Sequence, residues 1–141
     1  MEHSPFFKRV VHVVSLTHTA LMRMVGGKGI LARNCLLLTT RGRKSGRAIT
    51  TPLIYVAEGE KLYVVGSFGG SDTAPNWYLN LTKTPEVTVE VQGKTGTYRA
   101  RTVEPDEKAR LWPKLLAVYA PYESYQKKTT RVIPVVELVP A

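Results

Sequence analysis

Val87-Thr88-Val89-Glu90-Val91-Gln92-Gly93-Lys94-Thr95-Gly96-Thr97-Tyr98-Arg99-Ala100-Arg101-Thr102-Val103 carries the clearest structural signal in the chain. Valines 87, 89 and 91 alternate with Thr88, Glu90 and Gln92, so an extended backbone turns one apolar face inward and one polar face out. Gly93 to Gly96 supplies a turn, and 97–103 returns with Arg99 and Arg101 on one side, where an arginine can pair with Glu90. Working outward, similar runs predict strands at 34–40, 50–56, 62–67 and 133–139, the second and third joined as a hairpin across Glu58-Gly59-Glu60. Two helices interrupt them. One is capped by Asp72 or Thr73, holds Trp77, Tyr78 and Asn80, and stops at Thr84-Pro85. The other opens at Pro105 with Asp106 and Glu107 in its first turn, where the helix dipole favours acidic groups. About six strands in meander order, with short helices at the edges, predict a mainly β fold built as a small antiparallel barrel.

Ahead of the barrel, assigned to residues 30–141, lies a segment 1–29 that reads as a helical arm. Ser4 caps it, Pro5 occupies its first turn and Gly26-Gly27 closes it. It has no secretory signal pattern, and its Lys8, Arg9, His12, His18 and Arg23 make it too polar to span a membrane. Two readings stay open for residues 4–25: an arm packed on its own domain or a partner subunit, or a helix whose cations meet anionic headgroups while Phe6, Phe7, Val10 and Val14 insert. The expected localisation is the cytoplasm, the second reading adding the inner face of the cell membrane.

With 141 residues and 43% hydrophobic content, the chain is long enough for one well-buried domain and too apolar for disorder. Its net charge of +9 calls for an acidic partner: nucleic acid, an anionic membrane or an anionic small molecule. A single cysteine, Cys35, excludes an internal disulfide and a cysteine-based zinc cluster, and its apolar surroundings read as an inert buried thiol. All three histidines precede residue 19 and only Asp72 and Asp106 are aspartates, so a Ser-His-Asp triad or a clustered metal site is hard to assemble. Neither a phosphate-loop motif nor a dinucleotide fingerprint is present. An enzyme this poor in acids and bases would draw its reactivity from an organic cofactor, and hydride transfer suits that poverty.

The densest chemistry lies at Thr39-Thr40-Arg41-Gly42-Arg43-Lys44-Ser45-Gly46-Arg47-Ala48-Ile49-Thr50-Thr51-Pro52. Four cations crowd against their own repulsion, and the glycines let backbone approach a ligand closely. The stretch reads as a turn between strands that grips something phosphorylated or polyanionic.

Five collinear motifs then point further. They are G-R-K-S-G at 42–46, T-P-L at 51–53, G-G-x(4)-P-x-W-Y-L-N-L at 69–81, W-P-x-L-x(3)-Y-x-x-Y-x-x-Y at 112–125 and R-x-I-P at 131–134. Over roughly residues 30 to 140 the chain resembles the deazaflavin-dependent nitroreductase family of actinobacteria, oxidoreductases that use coenzyme F420 on a split β-barrel. The resemblance implies that Arg43 and Lys44, with Gly42, Ser45 and Gly46 and more weakly Arg47, hold the cofactor's phosphate and carboxylate tail. It implies that Thr51, Pro52 and Leu53 border the deazaflavin ring, with Gly66 and Ser67 at the end of the next strand and Trp77 and Asn80 above it. Packing in the core is the competing reading for Trp77, Pro52 and Leu53. Two positions depart from the family pattern: a frequent lysine after the serine is Phe68 here, and a frequent arginine ahead of T-P-L is Ile49.

Tyr119, Tyr122 and Tyr125 form the expected substrate wall, with Pro121 opening a short helix that stacks Tyr122 and Tyr125 one turn apart. Phenols offer flat apolar surface with a donor at the tip, which suits a quinone, an enone or a nitroaromatic; barrel capping is the competing role. Ser67, Tyr122 or Tyr125 would act catalytically by donating a proton or hydrogen bond to the acceptor oxygen as hydride from reduced F420 arrives. No metal is expected, and a homodimer is. Two other functions were weighed: an FMN-binding relative on the same barrel, and a basic nucleic-acid-binding barrel, which would want aromatics beside its cations and has none between Cys35 and Ile54.

Overall fold

The computed structural model describes residues 34–141, so the expected N-terminal arm, its membrane contact included, lies outside the described residues. Seven strands form a single antiparallel sheet: β1 (Cys35–Arg41), β2 (Ala48–Ile54), β3 (Val56–Glu58), β4 (Lys61–Val65), β5 (Glu86–Val91), β6 (Lys94–Thr102) and β7 (Val135–Pro140). Three helices surround it, α1 (Asn76–Lys83), α2 (Pro105–Val118) and α3 (Pro121–Lys128), with a 3-10 turn at Phe68–Gly70.

The patterned hairpin is present as β5 and β6, with Val87 opposite Tyr98 and Val91 opposite Lys94. The mainly β barrel is present too, but its order is not a meander. The sheet runs β2-β1-β5-β6-β7-β4-β3. The run expected as one strand over 50–56 breaks at Tyr55, giving seven strands instead of six. Its first part pairs with β1, Leu37 facing Pro52, and only the short β3 pairs with β4. Tyr55 itself is buried, and its amide donates to the Asn34 carbonyl at 2.9 Å. Strands β2 and β3 are therefore neighbours in the chain but opposite edges of the sheet. The sheet must curl until those edges meet, and β2 indeed lies against β4. Pro52 is tolerated because an edge strand has one row of amides outside the ladder.

Alternation decides what the curl encloses. Leu36 and Leu38 of β1, Leu62 and Val64 of β4, Val87 and Val89 of β5 and Val136 and Leu138 of β7 fill the interior, where Trp77 and Leu81 of α1 join them. The opposite face of β4 and β7 presents Tyr63, Val65 and Val135, which α2 covers with Leu111 and Leu115. Both faces being buried, these strands read as nearly continuous apolar runs.

Glu137 is the exception on that outer face. Its carboxylate accepts from the Tyr63 hydroxyl at 3.2 Å and from Arg101 Nη2 at 3.2 Å, with Lys61 at 3.6 Å. Burial pushes its pKa up, but the Arg101 and Lys61 cations outweigh burial and hold it below the usual carboxylate range. Arg101 thus pairs with Glu137 and Glu107 and not with Glu90, which faces Thr95 across the hairpin. The expected cap of α1 is also displaced. Pro75 is itself extended, at φ −67° and ψ 152°, so the helix opens only after it, and Asp72 instead accepts from Thr129 at 2.8 Å. Helix α2 opens at Pro105 as expected, and Pro121 opens α3.

Two outcomes test this packing. Leu38→Ala, at a fully buried site between β2 and β5, lowers unfolding free energy by about 2–5 kcal/mol in chemical denaturation. Glu58 ties the β3–β4 turn to α2 through Arg110 at 3.0 Å and through Lys114, and these bonds lower its pKa from 4.5 to about 2. A carboxylate depressed on folding stabilises above its unfolded pKa. The stability difference between wild type and Glu58→Gln is therefore full above about 4.5 and disappears as pH falls toward about 2, read as denaturation midpoints across that range.

Candidate active site

The turn between β1 and β2 is built from its own main chain. The Gly42 amide donates to Arg47 O and the Gly46 amide to Gly42 O, both at 2.8 Å. A Cβ on Gly42 would fall 2.6 Å from Ser45 Oγ and displace that hydroxyl, and Gly46 has φ +71°, which favours glycine. Ser45 Oγ accepts the Arg47 amide at 3.2 Å.

Helix α1 holds this turn down. Asn80 Oδ1 accepts both the Arg43 amide at 3.1 Å and Arg43 Nη1 at 2.9 Å, Asn76 Oδ1 accepts Nη2 at 3.3 Å, and Lys83 donates to Arg43 O at 3.2 Å. Asn80 is only 1% exposed and donates its Nδ2 to Thr40 Oγ1 at 3.2 Å. Its amide is thus committed to the turn. Around it lies a cavity of about 270 Å³ lined by Gly42, Arg43, Lys44, Ser45, Asn76 and Asn80, with Ile49 at its margin. The Lys44 residue is exposed there, whereas Arg43 is half-buried.

Ile49 and Asn76 also line a larger cavity of about 530 Å³, so the two spaces adjoin across these residues. On one side of the larger space stand Thr51, Pro52, Leu53 and Ile54 of β2; on another, Val65, Ser67 and Phe68. Trp77 reaches it from α1, and Tyr119, Tyr122 and Tyr125 close it. Trp77 also packs in the barrel core, so it serves both of the roles weighed for it. Phe68 is 58% exposed and Ile49 41%, which makes the passage between the cationic and aromatic ends apolar.

The tyrosines form one unit. The Tyr119 and Tyr125 hydroxyls are 2.9 Å apart, and the Tyr119 and Tyr122 rings meet edge to face at 4.9 Å. Trp112 backs Tyr122 and donates Nε1 to Glu123 at 2.9 Å. Burial pushes the Tyr122 phenol far above its ordinary value, and the hydrogen bond to Tyr125 raises that of Tyr119. Near neutral pH both are phenols, able to donate.

Of the expected site residues, Thr51, Pro52, Leu53, Ser67, Trp77, Tyr119, Tyr122 and Tyr125 come together around the larger cavity. Gly42, Arg43, Lys44, Ser45 and Asn80 gather at the smaller one. Gly46 and Arg47 shape the turn without lining either space, and Gly66 packs on Pro134, whose Cγ a Cβ would approach to 2.9 Å. Sequence reasoning missed Asn76 and Val65. Asn76 sits between Pro75 and Trp77, and only its place in the first turn of α1, one turn before Asn80, hinted that both amides face the β1–β2 turn. Among the described residues no cluster of His, Cys, Asp and Glu could hold a metal ion. Cys35 is half-buried, and burial pushes its thiol up, as an inert thiol requires.

Comparison with known proteins shows the family. The profile of F420H(2)-dependent quinone reductases matches residues 14–140. The chain belongs to that family. An F420H(2)-dependent quinone reductase of Mycobacterium tuberculosis is 36% identical over 146 aligned positions, covering 98% of each chain. A solved F420-H2 dependent reductase superposes with TM-score 0.69 at 38% identity, over 75% of this chain and 94% of that one. A solved domain-swapped dimer gives TM-score 0.70 at 32% identity, over 88% and 97%. The haem storage protein HutZ of Vibrio cholerae, at 16% identity and TM-score 0.60 over 79% and 84%, shares the fold alone. The family is one of F420-dependent reductases, so the FMN-binding and nucleic-acid readings are not carried further.

Asn80→Ala strips the turn of its buried acceptor and leaves Thr40 and the Arg43 amide without it. Unfolding free energy should fall by about 1–3 kcal/mol, and the Arg43 amide should exchange with solvent faster by NMR.

Proposed function

We propose that this chain reduces a quinone with hydride from F420H2, and that the cleft shared by the two cavities is where cofactor and acceptor meet. The observation that carries the reading is the polarity of these adjoining spaces: cations and main-chain amides at one end, three phenols and a tryptophan at the other. A flat apolar ring bearing an anionic tail fits such a space end to end. The Lys44 ammonium and the Lys44 and Ser45 amides would hold the tail, with Arg43 as a guanidinium already oriented by Asn80 and Asn76. Thr51, Pro52 and Leu53 would border the ring, with Trp77 against it. Ile49 and Phe68 make the passage between tail and ring apolar.

When bound, reduced F420 supplies the hydride. Conversion of a quinone to a quinol needs one proton besides, and the phenols that line the larger cavity would provide it. Tyr119 and Tyr125 share a hydrogen bond, so either can present its proton to an acceptor oxygen while the other stabilises the oxygen it leaves behind. Tyr122, buried against Trp112, supplies flat surface that stacks the acceptor and excludes water. Ser67 offers a second hydroxyl on the opposite side of the cavity.

The same reading includes an anionic lipid surface as the partner of residues 4–25, on sequence grounds, and a homodimer, supported by the similar domain-swapped dimer. Purified protein should oxidise F420H2 only when a quinone is present; absence of both binding and oxidation overturns the reading. Titration of F420 followed by its fluorescence should show Arg43→Ala/Lys44→Ala binding about 100- to 10,000-fold more weakly, since two charge-assisted bonds of roughly 1.5–3 kcal/mol each are lost.

A further inference from the structure

The motif Arg131-Val132-Ile133-Pro134 has found no role in the cleft, and Arg131 lines neither of its cavities. Its guanidinium is nevertheless engaged by one loop. Nε donates to Ser71 O at 2.8 Å, and Nη2 to Gly66 O at 3.1 Å and to Ser67 O at 2.9 Å. One planar fork therefore holds three carbonyls of the segment that carries Ser67 and Phe68 to the cavity.

That segment needs holding. Phe68, Gly69 and Gly70 have φ of +44°, +63° and +82°, three consecutive left-handed residues, one of them with a bulky side chain. The β4–β7 ladder has ended at Val65, and past it only single main-chain bonds, such as Gly70 N to Ser67 O, stiffen the loop.

The backbone of Arg131 is fastened in turn to the tyrosine helix. Its carbonyl accepts from Gln126 Nε2 at 2.9 Å, and its amide donates to Thr129 Oγ1 at 3.2 Å. The Thr129 hydroxyl in turn donates a hydrogen bond to Asp72 Oδ1 at 2.8 Å. Where the two segments touch, a Cβ on Gly70 would lie 2.9 Å from Tyr125 O and 3.0 Å from Tyr125 Cα, so the loop rests directly on α3.

Two walls of the larger cavity are thus tied together, with the Arg131 side chain making three of the bonds. We propose that Arg131 is a positioning residue for the reductase reaction, setting the separation between the Ser67–Phe68 loop and the Tyr119–Tyr122–Tyr125 wall. The proposal rests on the reading of the cleft given above. It assigns Arg131 no contact with cofactor or acceptor. Lysine cannot replace it, because a single ammonium does not span Ser71 O on one side and Gly66 and Ser67 O on the other.

Arg131→Lys, Arg131→Ala and Gly70→Ala test it, each compared with wild type in full-length protein. Three measurements are made: hydrogen–deuterium exchange of the 67–72 amides without cofactor, F420 affinity by fluorescence, and steady-state kinetics with F420H2 and a soluble quinone. The expected pattern is faster exchange confined to 67–72, F420 affinity within about twofold of wild type, and kcat lowered roughly 10- to 100-fold, the size of effect a sub-ångström to ångström misplacement produces. Methylguanidine should restore part of kcat to Arg131→Ala and none to Gly70→Ala. Unchanged exchange at 67–72, or kcat within about twofold of wild type in folded Arg131→Lys, overturns the positioning role while leaving the reductase reading intact. If Arg131→Ala fails to fold, Arg131→Lys and Gly70→Ala decide the matter alone. A wild-type protein that neither binds F420 nor oxidises F420H2 overturns the reading of the cleft, and this proposal with it.

Discussion

Tyr55 is the joint on which the architecture depends. It separates two strands that follow one another in the chain yet stand at opposite ends of a seven-stranded sheet. A peptide linkage spans only a few ångströms, so no flat sheet satisfies this connectivity. Curling follows by necessity, and with it an enclosed interior for Leu36, Leu38, Val64, Val89 and Leu138. Burying Tyr55 and engaging its amide with Asn34 fixes the joint in place. The larger cavity is a by-product of the same arrangement: β2 has no second strand in its ladder, and Thr51, Pro52 and Leu53 border the cavity there.

Charge and aromatic surface are kept apart along that cleft by α1. Asn80 and Asn76 take hold of Arg43, and Trp77, between them in sequence, turns the other way into the core and the larger cavity. One short helix thereby sets both the orientation of a guanidinium and the wall of the aromatic space. A neutral amide is well suited to this. It orients Arg43 without cancelling its charge, which a carboxylate in the same position would do.

Much of this was legible in the sequence, and the limits of legibility have physical causes. The β5–β6 hairpin, the helix after Pro105 and the break at Pro121 were readable because alternation, proline and first-turn acids act locally. The break at Tyr55 was not, because 50–56 is uniformly favourable for strand and only the competition between β1 and β4 for partners divides it. The partner of Arg101 was not legible for a similar reason: Glu137 reaches it from a strand distant in sequence, where local pairing rules carry no information. In the site, residue types signalled function well, since glycines, cations and tyrosines each came from a recognisable motif. What each one touches was less accessible. Asn80 carries an amide toward Arg43 and Thr40, and Gly66 makes room for Pro134, both decided by elements that meet only after folding.

The two strands flanking Tyr55 also determine how this chain can meet another. Exposed sheet edges are templates on which foreign strands grow, and folded proteins guard them. Here one edge carries Pro52, which has no amide to offer, and the other is three residues long. Among the described residues, both edges therefore disfavour growth of the sheet by a second copy. Protection of its own edges is in this way a consequence of how the barrel is shut.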